Sequence, residues 1–182
     1  QELAPHEGFH PRFDAVLRVY KYTLLVTQQR QPLLRSHSWW VRSALNGEAM
    51  QSAASLLVGE HDFAAFGKPA RGGSAIRRVE TSTWTMEALS PDGRPEQWIY
   101  TIAANGFLQH MVRRIVGALV SVGRGKWTVE QFRAAFERAH LLEASALAPP
   151  QGLVLAHVIY PDRGVQDTEE AGETPAGGRV HG

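Results

Sequence analysis

The stretch that most constrains this chain runs from residue 99 to residue 123, IYTIAANGFLQHMVRRIVGALVSVG, where a β-like segment passes directly into a helical one. Large apolar side chains recur at helical spacing in its second part and predict a broad stripe facing a core: Leu108, Met111, Val112, Ile115, Val116 and Leu119. Arg113 shares the other side of this helix with Gly106, His110 and Gly117. A guanidinium flanked by glycines has room to meet a partner closely, and the alternative is an ordinary solvated helix face.

Composition is typical of a globular domain. The chain has 182 residues, of which 43% are hydrophobic, and this is enough for one domain with a sizeable core. The absence of cysteine excludes disulfides and thiolate metal sites and favours a cytoplasmic protein. The apolar runs are too short to cross a membrane, and the N-terminus lacks the pattern of a signal peptide. Because the sequence begins with Gln1 rather than Met, we expect it to be a fragment of something longer.

The basic residues are mostly arginine. Sixteen of the 19 basic side chains are arginine, although the formal net charge is only +1. The planar guanidinium fork suits phosphates and base edges better than the lysine ammonium group does. This usage favours an RNA partner, but a GC-rich genome would produce the same composition.

Four segments are rich in β-branched and aromatic side chains and predict strands, at 16–26, 78–88, 98–104 and 153–160. In the first of them, Arg18, Tyr20, Tyr22 and Leu24 are expected to share one face. The turn at residues 90–97 predicts that the second and third strands form a hairpin.

Capping signals predict two helices besides the arginine helix, which we expect to end at Gly123. One runs from Asn46 to about Val58, with Asn46 as its N-cap and Gly59 as its C-terminal cap. The other covers residues 127–140 and begins with a capping box formed by Thr128 and Gln131.

These elements predict an α+β fold. With the third helix set aside, their order is the β-α-β-β-α-β arrangement of ferredoxin-like units, a mostly antiparallel sheet with helices on one face. The opposite face is free to bind RNA or to pack on a second domain. We expect residues 1–162 to form this domain, and the polar tail at residues 163–182 to be disordered.

A basic loop precedes the second predicted strand. Residues 66–78, FGKPARGGSAIRR, carry Lys68, Arg71, Arg77 and Arg78 around flexible glycines. Such a loop could bind a phosphate backbone, and the alternative is a solvated surface loop.

A match to a zinc motif near the N-terminus is rejected. His6, Glu7 and His10 spell the HExxH pattern of zinc peptidases, in which one helix presents both imidazoles. Prolines on both sides of the motif and a glycine inside it oppose that helix. We therefore expect no metal site.

Four segments together carry a family resemblance. FHPRFDAVLRVYKY, HDFAAF, ANGFLQHMVRRIVGALVSVG and APPQGLVLAHVIYPD resemble, in this order, the C-terminal half of the TruA-type tRNA pseudouridine synthases. They span nearly all of residues 9–162, and the helix pattern NxFxxHMVRxIVG is the most distinctive of them.

The resemblance implies isomerisation of uridine to pseudouridine in the anticodon stem-loop of tRNA, at tRNA positions 38, 39 and 40, without metal or organic cofactor. The uracil must leave the stack, separate from the ribose, rotate and rejoin through carbon. By the same resemblance, Arg113 orients and ionises a nucleophilic carboxylate, and Tyr20 is the acid or base for the proton at carbon five. Leu153 forms an apolar wall on the flipped uracil.

Arg12, Phe107 and His110 also occupy family motif positions, and the resemblance implies that they contact RNA or support the site. It further implies a homodimer that binds tRNA in basic clefts. His110 alone could equally be an ordinary helix histidine.

One element of the family pattern is not in this sequence. The family's nucleophilic aspartate lies in a GRTDxGVHA motif upstream of the FHPRF segment, and no such motif occurs here. We therefore expect this chain alone to be inactive and to supply half of an active-site cleft. The alternative is a catalytically silent RNA-binding module.

Overall fold

The fold is taken from a computed structural model, which describes residues 10–91, 95–138 and 147–161. Six strands form one mixed, mostly antiparallel sheet, and the helices share a core with one of its faces. The predicted α+β class is confirmed.

The secondary-structure elements follow the chain in this order: β1 (Leu17–Val26), β2 (Trp39–Val41), α1 (Gly47–Ser55), β3 (Gly59–Asp62), β4 (Ile76–Ala88), β5 (Glu96–Ala104), α2 (Met111–Gly123), α3 (Val129–Glu137) and β6 (Leu153–Ile159). Short 3₁₀ turns cover Pro32–Leu34 and Pro150–Gly152. All four predicted strands and all three predicted helices are present.

Strand β1 organises the sheet, whose order is β2-β1-β5-β4-β3. Strand β1 pairs antiparallel with β5 over residues 18–26. On its other side it pairs antiparallel with β6 over residues 17–22 and parallel with β2 over residues 24–26. The four predicted strands thus lie in the order β6, β1, β5, β4, and β1 has two different neighbours at its two ends.

The register of β1 produces the shared face that the sequence predicts. Arg18, Tyr20, Tyr22 and Leu24 lie opposite successive alternate residues of β5, ending with Tyr100 and Trp98 opposite the last two. Tyr22, Leu24 and Tyr100 are fully buried in the core that the sheet shares with the helices. The face bearing Tyr20 and Tyr22 is therefore the helix-covered one.

Helix α2 is buried almost all round. Every residue of the predicted apolar stripe is buried, but so is Gly117, and every residue from Ile115 to Val120 is inaccessible or nearly so. The alternative of a solvated helix face is therefore wrong. The helix also begins only at Met111, so Gly106 and His110 precede it, and Gly123 ends it as predicted.

The predicted N-caps are present. The Asn46 side chain accepts a hydrogen bond from the Ala49 amide at 3.0 Å, and Thr128 and Gln131 form both halves of a capping box. The predicted C-cap at Gly59 is wrong, because α1 ends at Ser55, and Gly59, at a φ of 111°, begins β3.

Three expectations lie outside the described residues. These are His6 and Glu7 of the rejected zinc motif, the end of the third predicted helix near His140, and the tail at residues 163–182.

Candidate active site

Arg113 lies in the first turn of α2 and is half-buried. Its Nε donates a hydrogen bond to the carbonyl of Ala148 at 2.6 Å, and the Ala148 amide donates to the carbonyl of Arg113 at 3.2 Å. The two terminal nitrogens of Arg113 donate no hydrogen bond to a described residue, and the guanidinium forms no salt bridge with a described carboxylate. One edge of the guanidinium is therefore fixed, while the fork remains able to bind an anion.

The segment that fixes Arg113 is itself held against β1. The Tyr22 hydroxyl donates to the carbonyl of Pro149 at 2.7 Å. A Cβ at Gly152 would lie 2.8 Å from the Thr23 carbonyl oxygen and from the Tyr22 ring, so only glycine permits this approach. Burial raises the pKa of Tyr22, and the nearby charge of Arg113 lowers it in part. Tyr22 thus links Arg113 to the start of β6.

Tyr20 and Leu153 are both neighbours of Tyr22, one along β1 and the other across on β6. Leu153 pairs with Tyr22 across β1 and β6 and packs partly buried against the core. Tyr20 is two residues away on the same face, and its ring meets Phe107 edge to face at 5.0 Å between centroids. The Tyr20 hydroxyl forms no hydrogen bond with a described residue. Its phenol is therefore available to a ligand, whereas that of Tyr22 is engaged.

An open cleft of about 360 Å³ adjoins Phe107 and is lined by three arginines. Arg12, Arg77 and Phe107, which the sequence singles out separately, meet in it. Burial lowers the pKa of Arg77, whose guanidinium donates to the carbonyl of Ser74 at 2.8 Å and to that of Ile76. Three cations in one cleft favour an anionic ligand.

Sequence reasoning missed Arg18, the third arginine of the cleft. Its guanidinium donates to the carbonyls of Arg12, Asn105 at 2.8 Å and Ala15 at 3.4 Å. Arg18 therefore ties the segment before β1 to the connection between β5 and α2. Arg18 lies two residues before Tyr20 on the same face of β1, and this position could have indicated from the sequence that it belongs to the site.

The basic loop reaches the start of α2 through Lys68. Lys68 and Gln109 form an isolated antiparallel bridge, and an added Cβ at Gly67 would lie 2.6 Å from the Leu108 Cβ. The exposed His110 follows directly and adopts a left-handed backbone with a φ of 62°. Such a conformation is costly outside glycine and is often found at functional sites. Lys68 thus pairs with the residue that precedes His110, at the entry to α2.

The four basic residues of the loop do not form one cluster. Arg71 is exposed beside Gly72, whose φ of 77° marks the turn. Arg78 lies within β4 and forms a salt bridge with Glu80 at 2.8 Å, and both side chains are largely exposed. Arg77 is in the cleft, one residue away along the strand.

Two classes of feature are absent from the described part of the chain. None of its helices is long and apolar enough to cross a membrane. No group of three or more histidine, aspartate or glutamate side chains there could hold a metal ion.

The arrangement presents a fixed guanidinium, a free phenol and an apolar side chain along adjacent elements, with a basic cleft beside them. No described carboxylate forms a salt bridge with Arg113. Such a set can orient an acid, move a proton and support a flat base.

Comparison with protein families gives a match over residues 53–161, to the model of the tRNA pseudouridine synthases. This span includes the basic loop, α2 and β6.

Individual relatives agree with that match. The tRNA pseudouridine synthase A of Geobacter sulfurreducens is 44% identical over 156 residues, which cover 84% of this chain and 60% of the relative. The protein of the same name from Paraburkholderia phymatum is 35% identical over 171 residues, covering 93% of this chain and 61% of the relative. The chain thus spans about 60% of the length of these relatives.

Proposed function

Because the chain belongs to the tRNA pseudouridine synthase family, we propose that it forms half of an active-site cleft that converts uridine to pseudouridine in the anticodon stem-loop of tRNA. The observation that carries this proposal is the state of Arg113. Its Nε is fixed by the Ala148 carbonyl while its terminal nitrogens have no described partner. An arginine held in this way is suited to orient a carboxylate.

The reaction is an isomerisation. A carboxylate attacks the nucleoside, the bond between uracil N1 and ribose C1′ breaks, and the base rotates. A bond then forms between carbon five and C1′ as the bond between the carboxylate and C1′ breaks, the proton on carbon five is removed, and N1 gains a proton. No atom or electron is gained or lost overall, so no cofactor is required by the balance of the reaction.

The roles are those that the family resemblance implies, and contacts described above support them. Arg113 holds the carboxylate ionised through opposite charge, and lysine would lose the bidentate fork. Tyr20 is the acid or base for the proton on carbon five, and its hydroxyl, which has no described hydrogen-bond partner, is accessible for that transfer. Leu153 packs on the uracil, and Phe107 contacts the ring of Tyr20 edge to face.

The basic side chains bind the RNA around the flipped base. Arg12 and Arg77 face the cleft next to Phe107 and contact phosphate there, while Lys68 and His110 contact it at the entry to α2. Arg71 and Arg78 are exposed and make weaker, salt-sensitive contacts.

Activity requires the nucleophile that this sequence does not supply. Tritium release from tRNA labelled at carbon five of its uracils would test this requirement. The samples are this chain and an extended chain, in which it is joined to the N-terminal part of the Geobacter sulfurreducens relative. We expect release from the extended chain only. Release from this chain alone would contradict the inference that it lacks the nucleophile.

The alternative function is a catalytically silent RNA-binding module. It predicts that both chains bind tRNA and that neither releases tritium, so the same assay separates the two functions. We also propose that the protein is cytoplasmic and acts as a homodimer. Light scattering during size-exclusion chromatography measures the molar mass in solution. A mass equal to one chain would show that the dimer proposal is wrong.

A further inference from the structure

A second group of cations lies at the opposite end of β1 from the candidate active site. The short strand β2 carries Trp39 and Trp40, and consecutive strand residues face opposite sides of the sheet. The guanidinium carbons of Arg30 and Arg42 lie 5.1 and 4.6 Å from the ring centroid of Trp40, and that of Arg124 lies 5.5 Å from Trp39. We call these five residues the basic–aromatic band. It wraps around the edge of the sheet.

The cations of the band are exposed and uncompensated. Arg30, Arg42 and Arg124 are all exposed and form no salt bridge with a described carboxylate. Their neighbours along the chain, Arg35 and Lys126, are exposed cations as well. Like charges gathered without counter-ions around one sheet edge repel each other, so their grouping indicates an anionic partner.

The tryptophans hold these cations in place. The Trp40 Nε1 donates to the carbonyl of Thr27 at 2.9 Å, which fixes the ring. A guanidinium over a tryptophan face gains about 0.5–1 kcal/mol at an exposed site and keeps its N–H groups free at the edge. Because the guanidinium groups occupy the ring of Trp40, the band is suited to phosphate oxygens rather than to stacked bases.

The spacing from the active site defines the size of the partner. Strand β2 pairs with residues 24–26 of β1, and Tyr20 lies about 17 Å away at the usual rise of a strand. A single nucleotide cannot reach both places. A nucleic acid whose target base is at Tyr20 presents further phosphates at this distance.

We propose that the basic–aromatic band binds the phosphate backbone of the RNA substrate, without regard to base sequence, at about 17 Å from Tyr20. This inference rests on the proposed function, because it takes tRNA as the substrate. The competing explanation is that the cation–π pairs serve only to protect the edge strand β2 from pairing with other chains.

The test compares tRNA binding by this chain and by a variant with Arg30→Gln, Arg42→Gln and Arg124→Gln. Arg133→Gln is the matched control, because Arg133 is exposed on α3 and stacks on no aromatic ring of a described residue. Affinity is measured from about 50 to about 200 mM salt. We expect the triple variant to bind about a hundredfold more weakly at low salt and only a few-fold more weakly at the highest salt. Its logarithmic salt slope should fall by roughly two to three, since about 0.7–0.9 of slope is lost for each phosphate contact.

Two further arms identify the partner and the role. The triple Arg→Lys variant retains the charge, so its salt slope should match that of the unmodified chain. A short hairpin containing only the target loop does not reach the band, and the triple glutamine variant should bind it as the unmodified chain does. Melting temperatures of all variants show whether a loss of binding follows from a loss of folding.

The outcomes separate this inference from the proposed function. An unmodified chain that does not bind tRNA overturns both. Normal tRNA binding by the triple glutamine variant would overturn the proposed role of the band and leave the proposed function standing. A lowered melting temperature with an unchanged salt slope would do the same. A variant that loses binding to polyglutamate but keeps binding to tRNA would assign the band to an acidic protein instead.

Discussion

The two ends of β1 use arginine in opposite ways. At the β6 end, Arg113 is half-buried, and its Nε is fixed by a backbone carbonyl at 2.6 Å. At the β2 end, Arg30 and Arg42 are exposed and are held only by the face of Trp40. The first arrangement specifies a direction for the guanidinium fork, and the second specifies only where positive charge lies.

This difference separates orientation from attraction. A fixed guanidinium loses its value when its geometry changes, even if its charge is retained. Exposed cations act through charge and are weakened by salt. Function at the site end should therefore depend on the geometry of the guanidinium, and binding at the band end should depend on ionic strength.

The largest effect is expected from Arg113→Ala in the extended chain. In the proposed mechanism the nucleophilic carboxylate then lacks its partner, and kcat in the tritium assay should fall about a thousandfold, or about 4 kcal/mol. Arg133→Ala is the control on an exposed helix face and should leave kcat unchanged. A normal rate for Arg113→Ala would remove this residue from the mechanism.

Alanine substitutions at two glycines, one at each end of β1, compare how tightly the two ends are packed, measured as the free energy of unfolding. An alanine at Gly152 places its Cβ 2.8 Å from the Thr23 carbonyl oxygen, so Gly152→Ala should lower the free energy of unfolding by about 1–3 kcal/mol. Gly125, next to Arg124, has no atom within 4 Å of an added Cβ, but its φ is 68°. Gly125→Ala should cost only about 1 kcal/mol. Urea denaturation measures both, and equal losses would contradict the tighter packing of the site end.

Alkaline pH tests the same packing without mutation. Burial raises the pKa of Tyr22 and of Tyr100 above the ordinary value of 10.0. Above that pH the unfolded chain releases these protons while the folded chain retains them, so the free energy of unfolding should fall as pH rises. The limiting slope is about 1.4 kcal/mol per pH unit for each tyrosine. The slope should be smaller in Tyr22→Phe, and an unchanged slope would show that Tyr22 is not protected.

The smallest effect distinguishes the two tyrosines of the site. Tyr22→Phe leaves the Pro149 carbonyl without its donor and should lower the free energy of unfolding by about 1 kcal/mol. Tyr20→Phe removes no described hydrogen bond, so the melting temperature should be unchanged while turnover of the extended chain falls. The reverse pattern would exchange their roles.

Most of the fold was predictable because local and tertiary preferences agree. The apolar spacing of α2 and the caps at Asn46 and Thr128 mark elements that the structure contains. Strands β2 and β3 were missed because they have only three and four residues and depend on pairing with longer strands. The C-cap expected at Gly59 was wrong because its positive φ begins a strand instead.

The candidate site was predictable only in part. The helix pattern indicates Arg113, but nothing in the spacing shows that a distant carbonyl, that of Ala148, fixes its Nε. The loop pattern groups Arg77 with Arg78, whereas a strand places them on opposite faces, with one in the cleft and one paired with Glu80. Such separations depend on tertiary register, which a single sequence does not encode locally.

The most direct test exchanges arginine for lysine at the site end of β1 and, in a separate variant, at the band end. The measured quantity is kcat for tritium release by the extended chain. Arg113→Lys retains the charge but loses the fork, and kcat should fall at least about a hundredfold. The Arg30→Lys, Arg42→Lys and Arg124→Lys variant retains its charge at the band and should stay within about twofold of the unmodified rate. Equal rates for Arg113→Lys and the unmodified chain would contradict the account.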